Sequence, residues 1–304
     1  MNHRTQPVAG SFPGEPRAFD QRGPANAESC AAASTRAAAP ILLVGGTGQI
    51  GWELRQSLPL LAPTVVASRQ PTADAARGAW LPIDLADADS IRRVVRQVRP
   101  SVVVNAAAYT AVDRAEQEPR LASAVNGIAP GILAEEARAC GAALVHYSTD
   151  YVFDGGGTVA WREDDPPGPL NVYGRSKLQG EQAIAASGAA HLVLRVCWVY
   201  GPHGANFVKT MLCLAATRDE LSVVNDQVGS PTSARTIAEA TLLLLAAASR
   251  GSTAGQAAAD QAGYWRERGG TYHLCCSGET SWHGFAEEIF HIAKEQNPEA
   301  AVPL

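Results

Sequence analysis

Tyr173 and Lys177 are the two residues whose types and spacing most directly predict chemistry. They stand four positions apart on a predicted helix, Val172–Ala186, and therefore share one face of it. A free tyrosine hydroxyl has a pKa of about 10, and a neighbouring ammonium lowers that pKa toward the range useful for proton transfer. Thr149, at the end of a predicted strand, can donate a hydrogen bond to a substrate carbonyl oxygen. The pattern predicts that Tyr173 gives a proton to that oxygen as the oxygen gains charge.

A glycine-rich turn lies far upstream of this pair. The apolar run Ile41–Val44 leads into Gly45-x-x-Gly48-x-x-Gly51, and a predicted helix, Gln49–Leu58, follows. Such glycines let the chain turn tightly, let the backbone approach a pyrophosphate and let helix and sheet pack closely, while the helix N-terminus attracts the anion. We therefore expect a nicotinamide dinucleotide here, with Lys177 on its ribose. The expected contacts in the turn are Gly45, Thr47, Gly48, Gln49, Ile50 and Gly51.

The cofactor preference is predicted from Arg69, which follows the second predicted strand. An acidic residue there usually holds the ribose 2′-OH of NAD, whereas an arginine can pair with a 2′-phosphate. We therefore expect NADPH, with NADH as the alternative. Asp84 and Leu85 are expected at the adenine edge, although Asp84 also fits a simple helix cap. Small side chains at Ala106, Ala107 and Ala108 end a parallel strand and leave room for a flat ring.

Strand and helix signals alternate from residue 40 onward. Continuous apolar runs of this kind suit a parallel sheet buried on both faces, so the fold class is predicted as α/β, a doubly wound parallel sheet of the Rossmann type. The predicted strands are Ile41–Val44, Thr64–Ala67, Val102–Val104, Ala143–Tyr147, Leu192–Val196 and Tyr272–Cys275. The further predicted helices are Ser90–Gln97, Leu121–Cys140, Phe207–Ala216, Thr236–Ala247 and Trp282–Lys294.

Composition shifts suggest three parts. Residues 1–39 are rich in Ala, Pro, Gly and Arg without a sustained period, and we expect a disordered extension there. Residues 40–197 are predicted to form the dinucleotide-binding Rossmann domain. Residues 198–304 are predicted to form mainly a smaller substrate-binding lobe, interleaved with the last sheet strand. Within it, Ser249–Gly270 is expected to be a long surface loop.

Bulk properties exclude several function classes. The net charge of -5 argues against a nucleic-acid surface. No apolar run reaches the roughly 18 to 20 residues of a membrane span. The six cysteines and seven histidines show no metal-ligand spacing, and free thiols suit a cytoplasmic location. Ser148 has His146 two residues away but no clear orienting acid, so covalent nucleophilic catalysis is not favoured.

Over about residues 40–297 the chain resembles the extended short-chain dehydrogenase/reductase family, and within it the dTDP-4-dehydrorhamnose reductases. The motifs that carry the resemblance are Gly48-Gln49-Ile50-Gly51-Trp52-Glu53-Leu54, Asn105-Ala106-Ala107-Ala108-Tyr109-Thr110-Ala111-Val112-Asp113, Ser148-Thr149-Asp150-Tyr151-Val152-Phe153-Asp154-Gly155, Val172-Tyr173-Gly174, Trp198-Val199-Tyr200-Gly201 and Asn225-Asp226-Gln227-x-Gly229-Ser230-Pro231-Thr232. The resemblance implies NAD(P)H-dependent reduction of the 4-keto group of a dTDP-keto-sugar, dTDP-4-dehydro-L-rhamnose, to dTDP-L-rhamnose for cell-surface polysaccharide.

The family pattern also implies residue roles. Thr149, Tyr173 and Lys177 correspond to the catalytic trio. Trp198 lines the sugar pocket, and Tyr109 and Tyr151 flank the reacting ring, with Tyr109 also at the cofactor. Gln227 and Gly229 belong to a turn on the nucleotide side of the substrate.

Three departures bear on that implication. Related dehydratases carry an acidic pair after the threonine, whereas here Asp150 is followed by Tyr151, which favours plain ketone reduction. Some relatives dimerise through magnesium held by glutamates; Glu53 fits, but Arg235 stands where another glutamate is expected, so a magnesium-bridged dimer is not favoured and a monomer or homodimer is left open. The chain also ends earlier than is usual in the family, so we expect a shortened substrate lobe.

Two other functions stay open. A non-catalytic regulatory subunit like that of methionine adenosyltransferase has the same dinucleotide fold and acts by association. A scaffold has no chemical need for the Thr149, Tyr173 and Lys177 trio, which argues against it. A nucleotide-sugar epimerase retains its NAD tightly and returns the hydride, so retained oxidised cofactor favours an epimerase and exchangeable NADPH favours a reductase.

Overall fold

The centre of the molecule is a seven-stranded, fully parallel β-sheet with the strand order β10-β6-β5-β4-β1-β2-β3. The computed structural model describes residues 39–70, 79–249 and 257–297. The sheet strands are β1 (Ile41–Val44), β2 (Thr64–Ser68), β3 (Trp80–Pro82), β4 (Val102–Asn105), β5 (Ala143–Thr149), β6 (His191–Val196) and β10 (Gly270–His273). The predicted doubly wound sheet is confirmed. The predicted extension, residues 1–39, lies outside the described residues except for residue 39.

Helices cover both faces of this sheet. They are α1 (Gln49–Ser57), α2 (Ala88–Val98), α3 (Val112–Ala115), α4 (Pro119–Ala122), α5 (Ala129–Cys140), α6 (Val172–Ala186), α8 (Ala234–Ser249) and α9 (Ala257–Arg268), with a π-helical turn at Ser123–Ile128 and 3-10 turns at Leu58–Leu60 and Asp150–Val152. Alternate residues of β1 point to opposite sides: Ile41 and Leu43 join one core cluster with α1 and α8, and Leu42 and Val44 join the other with α2 and α5. Burial on both sides explains the unbroken apolar strands.

The order of the strands reverses beside β1, whose neighbours are β2 on one side and β4 on the other. In parallel sheets ligands bind outside the carboxyl ends of the strands at such a reversal. The segments that follow β1, β4 and β5 therefore meet at one edge. They begin at Gly45, Ala106 and Asp150.

A smaller layer of structure follows β6. It contains β7 (Val199–Tyr200) paired with β9 (Thr232–Ser233), β8 (Val228–Gly229) paired with β11 (Thr280–Ser281), and the helices α7 (Phe207–Ala215) and α10 (Trp282–Gln296). Met211, Ala286 and Ile289 form a third, small apolar cluster between α7 and α10. The assignment of residues 198–304 to a substrate lobe stays a prediction. Strand β10, within that range, belongs to the main sheet.

One predicted element is wrong. The expected loop Ser249–Gly270 contains helix α9, in which Trp265 and Ala262 are buried against the main sheet. The sequence pattern did not predict this helix, because its polar residues leave only a narrow apolar stripe along it. Strand β3 was also missed, since three residues carry no usable period.

Among the described helices, none has the length and apolar character that a bilayer span requires.

Candidate active site

The glycine turn after β1 has the backbone that the sequence predicted. Gly45 has φ +87°, and a Cβ there would collide with the backbone nitrogen of Ala107, 2.5 Å away. A Cβ at Gly51 would collide with the carbonyl oxygen of Gly45. Both positions therefore require glycine because two backbone segments approach closely. The turn and the end of β4 lie directly against each other.

Gly48 differs from these two glycines. A Cβ placed there would have its nearest described neighbour 3.6 Å away, so the fold itself has room for a side chain. Gly48 is exposed, is the N-cap of α1 and makes no side-chain cap hydrogen bond. Free amides at a helix start, with open space above a glycine, fit the phosphates of a dinucleotide.

Three of the predicted cofactor residues lie near this turn but with other contacts. Gln49 accepts a hydrogen bond from Asn206 at 3.0 Å, and its own amide lies 3.4 Å from the Val199 carbonyl. The Thr47 carbonyl lies 3.0 Å from His203 Nε2. Ile50 packs against the core cluster under the sheet. These contacts join the turn to the segment after β6, and their role toward a cofactor stays a prediction.

The structure places Arg69 and Asp84 at the same edge. Arg69 is exposed directly after β2, the strand next to β1, where a 2′-phosphate would be expected. Asp84 is exposed and accepts a hydrogen bond from the Ala86 backbone at 2.9 Å, while Leu85 is buried. Asp87, not Asp84, caps α2, so the helix-cap alternative for Asp84 is wrong and its carboxylate orders its own turn.

The small residues after β4 line the side of the turn. Ala106, Ala107 and Ala108 are half-exposed and leave space beside the glycines. Tyr109 is held at both ends of its peptide by the buried Asn126 side chain, at 2.8 and 2.9 Å. Its hydroxyl donates to Glu118 at 2.7 Å, and burial, with this partner as a second cause, raises the Tyr109 pKa.

Asn126 is a site residue that sequence reasoning missed. It lies in the π-helical turn and donates a third contact to Ser176 at 3.0 Å, on α6 between Tyr173 and Lys177. It therefore ties the Tyr109 loop to the helix that carries the predicted acid. A π-turn is common at functional sites, but nothing in the local sequence marks one.

Thr149 lies close to Tyr173. It ends β5 and is buried, and its hydroxyl is near enough to the Tyr173 hydroxyl to lower the pKa of that phenol. Thr149 Oγ1 also donates to the Asp150 carboxylate at 2.9 Å. Burial raises the pKa of Tyr173, and the nearby Thr149 hydroxyl offsets only part of that rise. Tyr173 is therefore a protonated phenol at neutral pH.

Lys177 is fully buried one helical turn further on. Its Nζ donates to the Tyr147 carbonyl at 2.6 Å and lies 3.3 Å from His146 Nε2. Burial lowers the pKa of Lys177 to about 8, against the opposing charge of Glu181. The expectation that its ammonium lowers the Tyr173 pKa is not met in this geometry, since burial outweighs every other influence on that hydroxyl. Sequence reasoning set His146 aside as a candidate base and missed this contact.

Ser148 lies on β5. Its hydroxyl is buried and has no hydrogen-bond partner within the described ranges. The His146 ring faces Asn105 and Lys177 instead, at 3.0 and 3.3 Å. His146 therefore makes its ring contacts with these two residues and not with Ser148.

Of the predicted sugar-side residues, Tyr151 contacts Tyr173, and Trp198 contacts Gly229. Tyr151 is partly exposed and its ring packs edge-on against Tyr173, with centroids 5.5 Å apart. Trp198 has φ +45°, rare for an aromatic residue, and stacks on Trp282 at 3.7 Å. A Cβ on Gly229 would come 2.6 Å from the Trp198 indole. Gln227 is exposed at the start of β8.

Trp282 was also missed, because its own helix gives no sign that its ring reaches Trp198. The sequence predicted only a helix from this residue onward, whereas the structure shows it stacked under the sugar-side tryptophan.

A magnesium-bridged dimer, which the sequence did not favour, would involve Glu53 and the position of Arg235. In residues 39–70, 79–249 and 257–297, no three His, Cys, Asp or Glu side chains are grouped so that they could hold a metal ion. Arg235, where a glutamate was expected, pairs with Glu239 at 3.2 Å on the surface of α8. Glu53 is half-buried on α1.

The chain matches known proteins over most of its length. The family model described as RmlD substrate binding domain covers residues 39–303. A dTDP-4-dehydrorhamnose reductase of Burkholderia thailandensis is 44% identical over 87% of this chain and 81% of the relative. The reductase of the same name from Escherichia coli K12 is 40% identical over 87% of this chain and 80% of the relative.

Solved structures agree with these relatives. The chain superposes on a dTDP-4-dehydrorhamnose reductase of Clostridium acetobutylicum with a TM-score of 0.70, 35% identity, and coverage of 86% of this chain and 81% of that one. The reductase of Bacillus anthracis, solved in complex with NADP, gives a TM-score of 0.69 at 32% identity, covering 84% of this chain and 81% of that one. The chain therefore belongs to the RmlD substrate binding domain family, the family of the dTDP-4-dehydrorhamnose reductases.

Proposed function

We propose that this protein is an NADPH-dependent reductase that converts dTDP-4-dehydro-L-rhamnose to dTDP-L-rhamnose. The observation that carries the proposal is the Tyr173 hydroxyl close to Thr149, at the sheet edge where β1 also ends in the glycine turn. The named reductases among the relatives support the substrate, and the Bacillus anthracis complex supports NADP as the cofactor.

The site residues divide the proton chemistry between them. Tyr173 keeps its proton at neutral pH because burial raises its pKa, so it is poised to donate rather than to accept. The Thr149 hydroxyl, which donates to Asp150 in this structure, would turn to the substrate oxygen as a second hydrogen-bond donor. Lys177 is held one helical turn away as a group able to hold a ribose. A bound NADPH supplies the hydride.

The cofactor's phosphates would lie over Gly48 and the start of α1, with Gly45, Thr47, Gln49, Ile50 and Gly51 shaping the turn. Arg69 would pair with a 2′-phosphate, which selects NADPH over NADH. Ala106–Ala108 would face a flat ring, with Asp84 and Leu85 at the adenine edge.

The sugar would lie on the open side of Tyr173. There Tyr109 and Tyr151 flank the reacting ring, Trp198 provides an apolar wall, and Gln227 and Gly229 face the nucleotide. Residues 40–197 would then form the cofactor domain and most of residues 198–304 the substrate lobe. We further propose a cytoplasmic protein, monomeric or homodimeric, that binds neither nucleic acid nor membrane.

The test is NADPH oxidation with enzymatically generated dTDP-4-dehydro-L-rhamnose, followed by the near-ultraviolet absorbance of NADPH. The wild type should oxidise NADPH, and Tyr173→Phe should lose a factor of about 10² to 10⁴ in kcat with NADPH affinity unchanged. Tyr272→Phe, which removes a hydroxyl that donates to the Arg268 carbonyl, is the matched control. Bound NADPH without oxidation by the wild type would favour a regulatory binding protein. Oxidised cofactor retained through purification would favour an epimerase.

A further inference from the structure

Asn105, His146 and Lys177 form a continuous chain of buried polar contacts beneath the predicted catalytic residues. None of the three side chains is more than 1% exposed. Asn105 Oδ1 accepts from the Ala107 backbone at 3.2 Å, Asn105 Nδ2 lies 3.0 Å from His146 Nδ1, and His146 Nε2 lies 3.3 Å from Lys177 Nζ. The chain joins the cofactor turn to the lysine.

The His146 ring in this chain is neutral. Its pKa is held well below the usual range by burial, and by the Lys177 charge as a second cause. A neutral imidazole has one nitrogen that donates and one that accepts. Both of its neighbours, an amide NH₂ and a lysine amino group, are able to donate. The ring can accept from only one of them at a time.

When Lys177 is a neutral amine, the Ala107 N–H determines which neighbour donates to the His146 ring. Because Asn105 Oδ1 accepts from Ala107, the Asn105 amide presents Nδ2–H to His146 Nδ1. The ring proton then resides on Nε2 and points at Lys177 Nζ, where only the lone pair of a neutral amine can accept it. With Lys177 as an amine, the three contacts between Ala107, Asn105, His146 and Lys177 can all form as hydrogen bonds.

Protonation of Lys177 breaks this arrangement. An ammonium has no lone pair, so Nε2 must become the acceptor and the ring proton must move to Nδ1. Asn105 must then turn its carbonyl toward Nδ1, and the Ala107 N–H loses its partner. That N–H lies against Gly45 of the cofactor turn. The proton on the lysine is thereby linked to a backbone donor at the cofactor site.

We propose that Asn105 and His146 are positioning residues for Lys177, and that the His146 tautomer switches whenever Lys177 gains or loses its proton. The role in catalysis rests on the proposed function, whereas the switch itself does not need a substrate. The other charged groups near Lys177 are on α6 and β6: Glu181 and its partner Arg195. Neither contacts the His146 ring, so they adjust the pH of the switch without replacing it.

The amino-acid composition allows a direct test. The sequence has only three lysines, Lys177, Lys209 and Lys294, and the latter two are exposed. NMR of protein labelled with 13C at lysine Cε and 15N at histidine follows both partners, with Lys209→Arg and Lys294→Arg for assignment. We expect Lys177 to titrate near pH 8, and the His146 ring nitrogens to exchange protonated and unprotonated shifts at the same midpoint. A His146 tautomer that stays fixed across the Lys177 midpoint would overturn the proposal.

Two variants make the result specific. In Asn105→Asp, one carboxylate accepts from both Ala107 N–H and Nδ1–H, so His146 should keep the Nδ1–H tautomer and the Lys177 midpoint should rise by about one unit or more. In Lys177→Met, which adds no buried charge, His146 should keep the Nε2–H tautomer at every pH. A tautomer change in Lys177→Met would contradict the proposal even if Asn105→Asp fails to fold. Because no substrate is present, these results are independent of whether the protein reduces the keto-sugar.

Discussion

The Glu181 carboxylate and the Arg195 guanidinium form a bidentate pair with N–O distances of 2.8 and 3.1 Å, and both side chains are 7% exposed. Arg195 also donates to the Glu163 carbonyl and lies over the Phe153 ring. The pair joins α6, which carries Tyr173 and Lys177, to β6 of the sheet.

Glu181→Gln should destabilise the protein strongly. It leaves the Arg195 charge buried without its counter-ion, which costs about 3 to 5 kcal/mol in comparable cases. Urea unfolding at pH 7 measures the free energy. Glu239→Gln breaks the exposed pair with Arg235 and should cost less than about 1 kcal/mol. Equal losses of unfolding free energy in the two variants would show that the buried pair stabilises the protein no more than the exposed pair does.

Gly45→Ala and Gly48→Ala should separate folding from cofactor binding. At Gly45 the alanine needs φ +87° and collides with Ala107, so the melting temperature should fall, with strain of about 1 to 3 kcal/mol. At Gly48 the fold has room, so stability should hold while the NADPH Kd rises about tenfold or more. Thermal unfolding and fluorescence titration give both quantities. Unchanged NADPH affinity in Gly48→Ala would place the phosphates elsewhere.

Arg69→Ser should change the cofactor preference. Losing charge-assisted contacts to a 2′-phosphate costs about 1.5 to 3 kcal/mol, equivalent to roughly a 10- to 100-fold loss in kcat/KM for NADPH. The kcat/KM for NADH should hardly change, because NADH carries no 2′-phosphate. Parallel assays with the two cofactors check this, and an equal loss for both would remove Arg69 from cofactor selection.

Gly229→Ala should weaken turnover through Trp198. The added Cβ lies 2.6 Å from the indole and must displace the Trp198–Trp282 stack. A shift of that size in a pocket wall lowers kcat/KM for the keto-sugar by about 100-fold, with NADPH affinity retained. Gly263→Ala on α9, which has open space around it, is the control and should leave activity intact. Normal kcat/KM in Gly229→Ala would argue against a sugar wall at Trp198.

Asp150→Asn should change the pH dependence of stability. Burial raises the pKa of Asp150 above its unfolded value, with hydrogen bonds such as that from Thr149 opposing the rise. The stabilising contribution is therefore complete below the unfolded pKa and is lost as pH rises through the folded pKa, at about 1.4 kcal/mol for each unit of elevation. Relative to the wild type, Asp150→Asn should gain stability between pH 4 and pH 7, as measured by urea unfolding. A difference that is flat over this range would show that the carboxyl is not perturbed.

Local sequence pattern determined the fold class and the predicted catalytic pair. The signals for both involve residues close together in sequence. They are the apolar runs, the glycine turn at Gly45–Gly51 and the four-residue spacing of Tyr173 and Lys177. These elements appear close to where they were predicted, whereas α9, the short α3 and the strands β3, β7, β8, β9 and β11 were not predicted. The place of α9 and β3 is set by packing against the sheet.

The contacts between distant segments were decided only by the tertiary structure. His146 lies 41 residues from Asn105 and 31 from Lys177, Asn126 lies 50 residues from Ser176, and Trp198 and Trp282 come from different elements. Register between β4 and β5 places Asn105 beside His146, and the packing of α6 against β5 brings Lys177 to them. A single sequence records no pairing between them. Its residue types allow the chemistry, but burial sets the protonation of Tyr173, His146 and Lys177, and burial is a property of the folded chain.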